Sequence, residues 1–291
     1  MKNAYATSGK IFAQVSMRQQ PAIYEQLQAI KGNEIVVVRG TYDHIEKLLD
    51  TIKVPYETIN SEQIAKYNGG RVMFVNCKDY STGVPVKAVK EFVESGGRIV
   101  TTDWALGLVT KSFPKRLEKV GVTADEVVEI QAHTDMARKF LGLNYSQCHP
   151  QWWLENSSHL YQIKEGVIPL ITSEEMKEKH GTPYVAVGFA EGKGEVIHFI
   201  SHLELQRSRL KTKADAGTLD DFLAKMKVDK TSDMEDAVVA DLEAAYSTLN
   251  TLAHLCVYDP IVSFGTNSVM STKNAKNIAD LKSLKSMPLI E

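Results

Sequence analysis

Phe92-Val-Glu-Ser-Gly-Gly-Arg-Ile-Val-Thr-Thr-Asp-Trp-Ala-Leu106 holds a helix end, a stop, a strand and a sharp turn within fifteen residues. Ser95-Gly96-Gly97 reads as the C-terminal stop of a helix over residues 84–94 that begins near Pro85. Arg98-Ile-Val-Thr-Thr102 follows at once as a strand. Upstream, Glu34-Ile-Val-Val-Val-Arg39 is a β-branched run ending at Gly40, the pattern of a strand buried on both faces, and Arg71-Val-Met-Phe-Val-Asn76 is a second. Between them, Ile45, Leu48, Leu49 and Ile52 fall at helical spacing, and Val54-Pro-Tyr-Glu-Thr-Ile59 returns to strand character. Strands alternating with helices of this length require right-handed crossovers, hence a mostly parallel sheet covered on both faces. Ligands in such sheets bind beyond the carboxyl ends of the strands.

The second half is less regular. Strands are expected at 127–131, 167–172, 184–190 and 195–201, all extending the sheet, with Glu191-Gly-Lys-Gly194 as a hairpin turn between the last two. The first 33 residues have only a weak helical pattern. Beyond residue 205 the chain turns polar, and then Val238, Leu242, Ala245, Leu249, Leu252 and Leu255 mark a long packed helix over 234–258. The tail 263–291 is Ser-, Asn- and Lys-rich and is expected to be loosely attached or ordered by a partner. No internal repeat of fixed period is present.

Lys and Arg number 34 against 36 Asp and Glu, a formal charge of −2, so no global field attracts a polyanion or an acidic membrane, and nucleic acid is not an expected partner. The short basic stretch 207–213 reads as a solvated face. Cys77, Cys148 and Cys256 are too scattered for a disulfide framework or a thiolate zinc knuckle, which points to a reducing, cytoplasmic setting. The N-terminus lacks a continuous apolar core of the signal-peptide kind, and no run approaches the roughly 20 apolar residues of a membrane span.

The stretch 92–106 resembles the helix, Gly-Gly, strand and sharp turn that carry the nucleophile elbow in the class I glutamine amidotransferase-like superfamily, closest to its ThuA-like and DJ-1-like branches. About a hundred residues on, Gly194-Glu-Val-Ile-His-Phe-Ile-Ser-His-Leu-Glu204 is similar to the strand that delivers that family's His-x-Glu pair. The resemblance covers roughly residues 34–205. It implies a three-layer α/β/α fold with a mostly parallel flavodoxin-like sheet, an N-terminal extension (1–33), a core (34–205) and a C-terminal helical extension (206–291). It places Asp103 at the elbow and His202 and Glu204 as the remaining catalytic pair. Asp103 stands where the family carries its cysteine. A thiolate attacks the amide carbon in those enzymes and a carboxylate does not replace it, so glutaminase activity is not expected. Asn76-Cys77-Lys78-Asp79 also replaces the Gly-rich turn of the family's oxyanion region.

In that fold Arg39, Tyr42, His44, Asn76, Cys77, Asp103, Trp104, His202 and Glu204 lie at or just after strand ends. Two readings stay open. Asp103 and His202 act together, as an acid/base pair or as two ligands of a metal ion. Alternatively Asp103 caps the following helix and His202 hydrogen-bonds it in a relic site. Cys77 at a strand end is a small hydrophobe, with an out-of-place nucleophile as the alternative. His149, Glu155 and His159 do not match an HExxH-type metal spacing. Trp152 and Trp153 read as a buried anchor or a cleft wall, with an exposed aromatic contact surface as the alternative. His133, His180, His198 and His254 have core or surface explanations.

The leading functional expectation is a non-catalytic amidotransferase-like protein, a subunit of a bacterial assembly, that binds a small molecule or a protein partner without a cofactor. Arg39, Tyr42, Asn76, Cys77 and Trp104 would form its ligand-binding face. A hydrolase or metal-assisted enzyme using Asp103, His202 and Glu204 is the alternative, and a purely structural role the third. The long C-terminal helix is a candidate surface for self-association.

Overall fold

In the computed structural model, residues 1–143, 150–205, 217–234 and 237–257 are described. The first strand, β1 (Ile35–Val38), pairs in parallel with β2 (Glu57–Ile59) on one side and β3 (Val72–Val75) on the other. Next to β3 lies β4 (Arg98–Thr102), then β12 (Gly194–Phe199), both parallel to it. Antiparallel strands β11 (Tyr184–Glu191), β10 (Ile168–Thr172) and β7 (Gln131–Ala132) complete the sheet. The order is β2-β1-β3-β4-β12-β11-β10-β7, a mostly parallel sheet. Every residue of β1, β3, β4 and β12 is buried: β1 and β3 are continuous apolar runs, and the polar members of β4 and β12 include the Arg98–Glu195 pair.

Helices cover the sheet in two groups. α4 (Val86–Glu94) and α5 (Leu106–Ser112) touch each other, and α1 (Lys2–Gln19), α2 (Pro21–Ala29), α3 (Ile45–Thr51) and α8 (Leu219–Met226) gather around α9 (Val239–Val257). The N-terminal segment therefore packs onto the C-terminal helix. Polar positions of α9 are tied down individually: Ser8 Oγ donates to the Leu242 carbonyl, Asn250 to Gly142 and Thr251 to Leu141. At the amino edge of the sheet the buried ion pair Arg98–Glu195 joins β4 to β12. Arg98 also donates to the Leu255 carbonyl and Arg71 to that of Cys256, so two guanidinium groups neutralise the carboxyl end of α9.

Between α5 and β10 the chain leaves the sheet. Residues 127–131, expected to extend it, instead form β6 (Glu126–Glu129), which pairs with β8 (Gln151–Leu154) in a separate two-stranded ribbon; only β7 reaches the sheet. A second ribbon joins β5 (Leu117–Val122) to β9 (His159–Ile163). Trp152 and Trp153 on β8 are fully buried, and the Trp152 indole donates to Ser247 Oγ on α9 at 2.8 Å. They anchor the ribbon and do not wall the cleft. α6 (Asp135–Phe140) and α7 (Glu174–His180) are short and side-chain-capped by Thr134 and Ser173. The basic stretch 207–213, the tail 263–291, Cys148 and His149 lie outside the described residues.

Candidate functional site

The loops after β1, β3, β4 and β12 converge at one edge of the sheet, next to the switch between β1 and β3. Gly40 permits the approach of the first two: a side chain there would collide with Asn76 and with the Cys77 carbonyl. That carbonyl accepts the amides of Thr41 and Tyr42 at 2.9 and 3.2 Å. After β4 the backbone turns abruptly through Asp103, whose φ is +44°. This is left-handed space, where a short polar side chain is tolerated better than most. Strand, strained residue and helix follow one another as in a nucleophile elbow, with a carboxylate at its apex.

Three groups hold that carboxylate. The His159 amide donates to Oδ1 at 3.1 Å, the Cys77 thiol donates to Oδ2 at 3.5 Å, and His202 Nε2 lies 3.4 Å from Oδ2. Asp103 caps neither its own turn nor α5, so the helix-capping reading does not hold. Cys77, Asp103 and His202 are all buried, the last only 4% exposed. Asp43, also buried, accepts the amides of His44, Leu203 and Glu204 and so ties the β1 loop to the β12 loop.

The electrostatics follow from this enclosure. Burial alone would strip the proton from His202. The negative charges of Asp43, Asp103 and Glu155 outweigh it and raise the imidazole to about 9, leaving it a cation at neutral pH. Burial, and then the Asp103 charge, push the Cys77 thiol far above its ordinary range. Cys77 is a protonated donor to Asp103 and not a poised nucleophile. Burial also raises the Glu155 carboxyl.

A row of aromatic rings flanks the polar cluster. Trp104 stacks on His159 with ring centres 5.6 Å apart and planes 10° from parallel, its indole N–H held by the Ser157 carbonyl at 2.8 Å. Tyr42 meets Trp104 edge-on at 5.3 Å and is half exposed.

Tyr42, Cys77, Asp103, Trp104 and His202 thus come together. Three expected partners do not. Arg39 is exposed and donates to Thr58 Oγ1 at 3.0 Å, toward β2. Asn76 accepts the Ile45 amide at 3.1 Å and donates to Glu46 at 2.9 Å, fixing the start of α3. Glu204, expected to pair with His202, reaches Lys47 at 2.7 Å instead. The reason is local: β12 ends at Phe199, so residues 202–204 lie in a loop that Asp43 grips by its amides, and strand alternation no longer directs their side chains. His44 pairs with Glu46 at 3.1 Å.

Sequence reasoning missed Asp43 and Ser157 as site residues, and weighed Glu155 and His159 only as metal ligands of the wrong spacing. Asp43 had a weak signal, a carboxylate between two candidate residues in a loop after a buried strand. The other three come from β9 and the turn before it, which no spacing ties to the elbow. Of the histidines set aside, His198 is buried with Nδ1 2.8 Å from Thr101 Oγ1, His180 pairs with Glu126 at 2.6 Å, and His254 lies 3.2 Å from Gln20.

No family model matches the chain, and no curated protein does. The solved structures that resemble it include glutamine amidotransferases. One from Thermotoga maritima is 13% identical, with 77% of this chain and 96% of that one aligned at a TM-score of 0.46. Another, from Methylobacillus flagellatus, is 12% identical over 83% of this chain and 99% of its own, at 0.47. A putative ThuA-like protein from Bacteroides uniformis matches at 11% identity over 59% of this chain and 82% of its own, at 0.42. A β-galactosidase from Rahnella sp. R3 aligns with 60% of this chain at 13% identity and 0.42, and the chain spans 29% of that protein's length. Likeness of this size says nothing about which chemistry the site supports.

Proposed function

We propose that this chain is a non-catalytic protein of amidotransferase-like architecture that binds a small ligand or a protein partner at the carboxyl edge of its sheet. The observation that carries this reading is the elbow itself. Its side chain is a buried carboxylate held by Cys77, His159 and His202 beside a row of aromatic rings. Burial and the Asp103 charge hold the neighbouring Cys77 thiol far above its ordinary range, which disfavours a nucleophilic thiolate there. That row, Tyr42, Trp104 and His159, offers partly exposed π surface of the kind that dominates recognition energetics.

One observation favours a second reading, an acid/base or metal-assisted hydrolase: Asp103 and His202 are 3.4 Å apart. Two measurements separate them. Ammonia release from glutamine and hydrolysis of a panel of esters and amides should be absent in the purified protein. A fluorescence screen against sugars and small anions should find quenching of Trp104, whose two companion tryptophans are buried, and Tyr42→Ala should weaken it. Turnover that disappears in Asp103→Asn would overturn the binding reading.

A further inference from the structure

Among the described residues, Cys77, Asp103 and His202 are the group whose donor atoms all lie within 4.8 Å of one another, and all three are buried. Two of its three edges have the lengths found in a coordination sphere. Tetrahedral zinc bonds of about 2.3 Å to sulfur and about 2.0–2.1 Å to oxygen and nitrogen separate S from O by about 3.5 Å and N from O by about 3.3 Å. The corresponding contacts here are 3.5 Å and 3.4 Å.

A second, independent observation points the same way. His202 Nε2 lies 3.4 Å from Asp103 Oδ2 without making an aligned hydrogen bond, and Nδ1 has no hydrogen-bond partner among the described residues, although the side chain is only 4% exposed. A buried imidazole left without a hydrogen bond requires an explanation, of which an ion is one.

We propose that Cys77, Asp103 and His202 bind one divalent transition-metal ion of the zinc class, through sulfur, oxygen and nitrogen. The mixed donor set suits zinc or cobalt and not calcium or magnesium, which take oxygen shells. As the ion enters, the thiol proton and the imidazolium proton leave to solvent, and the cation replaces them as counter-charge to Asp43 and Glu155. Three protein donors leave a fourth position for water.

The test is titration of chelator-stripped protein with cobalt chloride, followed by visible and near-ultraviolet absorption. The expected result is one equivalent bound, with a thiolate-to-cobalt charge-transfer band and intense four-coordinate bands that zinc chloride displaces. Cys77→Ser should lose the charge-transfer band. Asp103→Asn, near-isosteric and tolerant of left-handed backbone, should stay folded by circular dichroism and bind about tenfold or more weakly. Folded wild-type protein that retains no cobalt at one equivalent overturns the proposal, as does a band that persists in Cys77→Ser.

Discussion

Acidification from pH 7 to pH 4.5 should destabilise this protein through two buried histidines outside the site. Burial depresses His198 to about 3 and His254 to about 4, against an ordinary value of 6.5. The unfolded chain takes up protons at these positions near pH 6.5, while the folded chain refuses them until pH 3–4. Stability is therefore complete above about pH 6.5 and is lost as the pH falls through the window between the two values. At pH 4.5 each histidine lies two pH units below its unfolded value, which costs on the order of 2–3 kcal/mol at about 1.4 kcal/mol per unit. The pair costs about 5 kcal/mol, comparable with the lower end of a typical domain's stability of 5–15 kcal/mol. Urea unfolding at pH 7, 6, 5 and 4.5 measures it, with His198→Gln and His254→Gln each expected to remove about half of the loss. A wild-type change under about 1 kcal/mol across this range, or variants with the wild-type slope, would refute the reasoning.

Glu195→Ala leaves Arg98 charged and buried in the core and should cost about 3–5 kcal/mol by chemical denaturation, whereas replacing both partners with methionine should recover most of it. Asp103→Val should be less stable than Asp103→Asn by about 1–2 kcal/mol, because a β-branched residue is penalised at the left-handed φ of this position; differential scanning calorimetry of the two variants decides it. Cys77 should react slowly with a disulfide reagent in the native protein and faster in Trp104→Ala, and equal rates would show that the indole does not shield it. Trp152→Phe should cost about 1 kcal/mol through the lost bond to Ser247, read from the shift in urea midpoint.

The parallel half of the sheet was legible because its strands are buried on both faces and so write continuous β-branched runs, as Ile35–Val38 and Arg98–Thr102 do. Gly96 and Gly97 marked the turn into β4, and the hairpin at Gly192 was plain from its glycines. The ribbons were not legible. β5 has exposed Val120 and Val122 beside charged Glu118 and Lys119, so its pattern reports neither a core face nor a helix. Asp103 and Cys77 could be placed from strand ends and His202 from its motif resemblance, whereas His159 reaches the site through a non-local pairing that no spacing encodes. Glu204 failed because the motif reading assumed a strand continuing past Phe199.

Both borders of the main sheet are short: β2 has three residues and β7 has two. Unpaired strand edges are where chains aggregate and where extended peptides add by backbone hydrogen bonding. Here an incoming strand would find a ladder only two or three residues long at either border, too little to specify register or to hold it. Recognition by this sheet must therefore run through side chains, and the sheet itself is protected against growing from one molecule into the next.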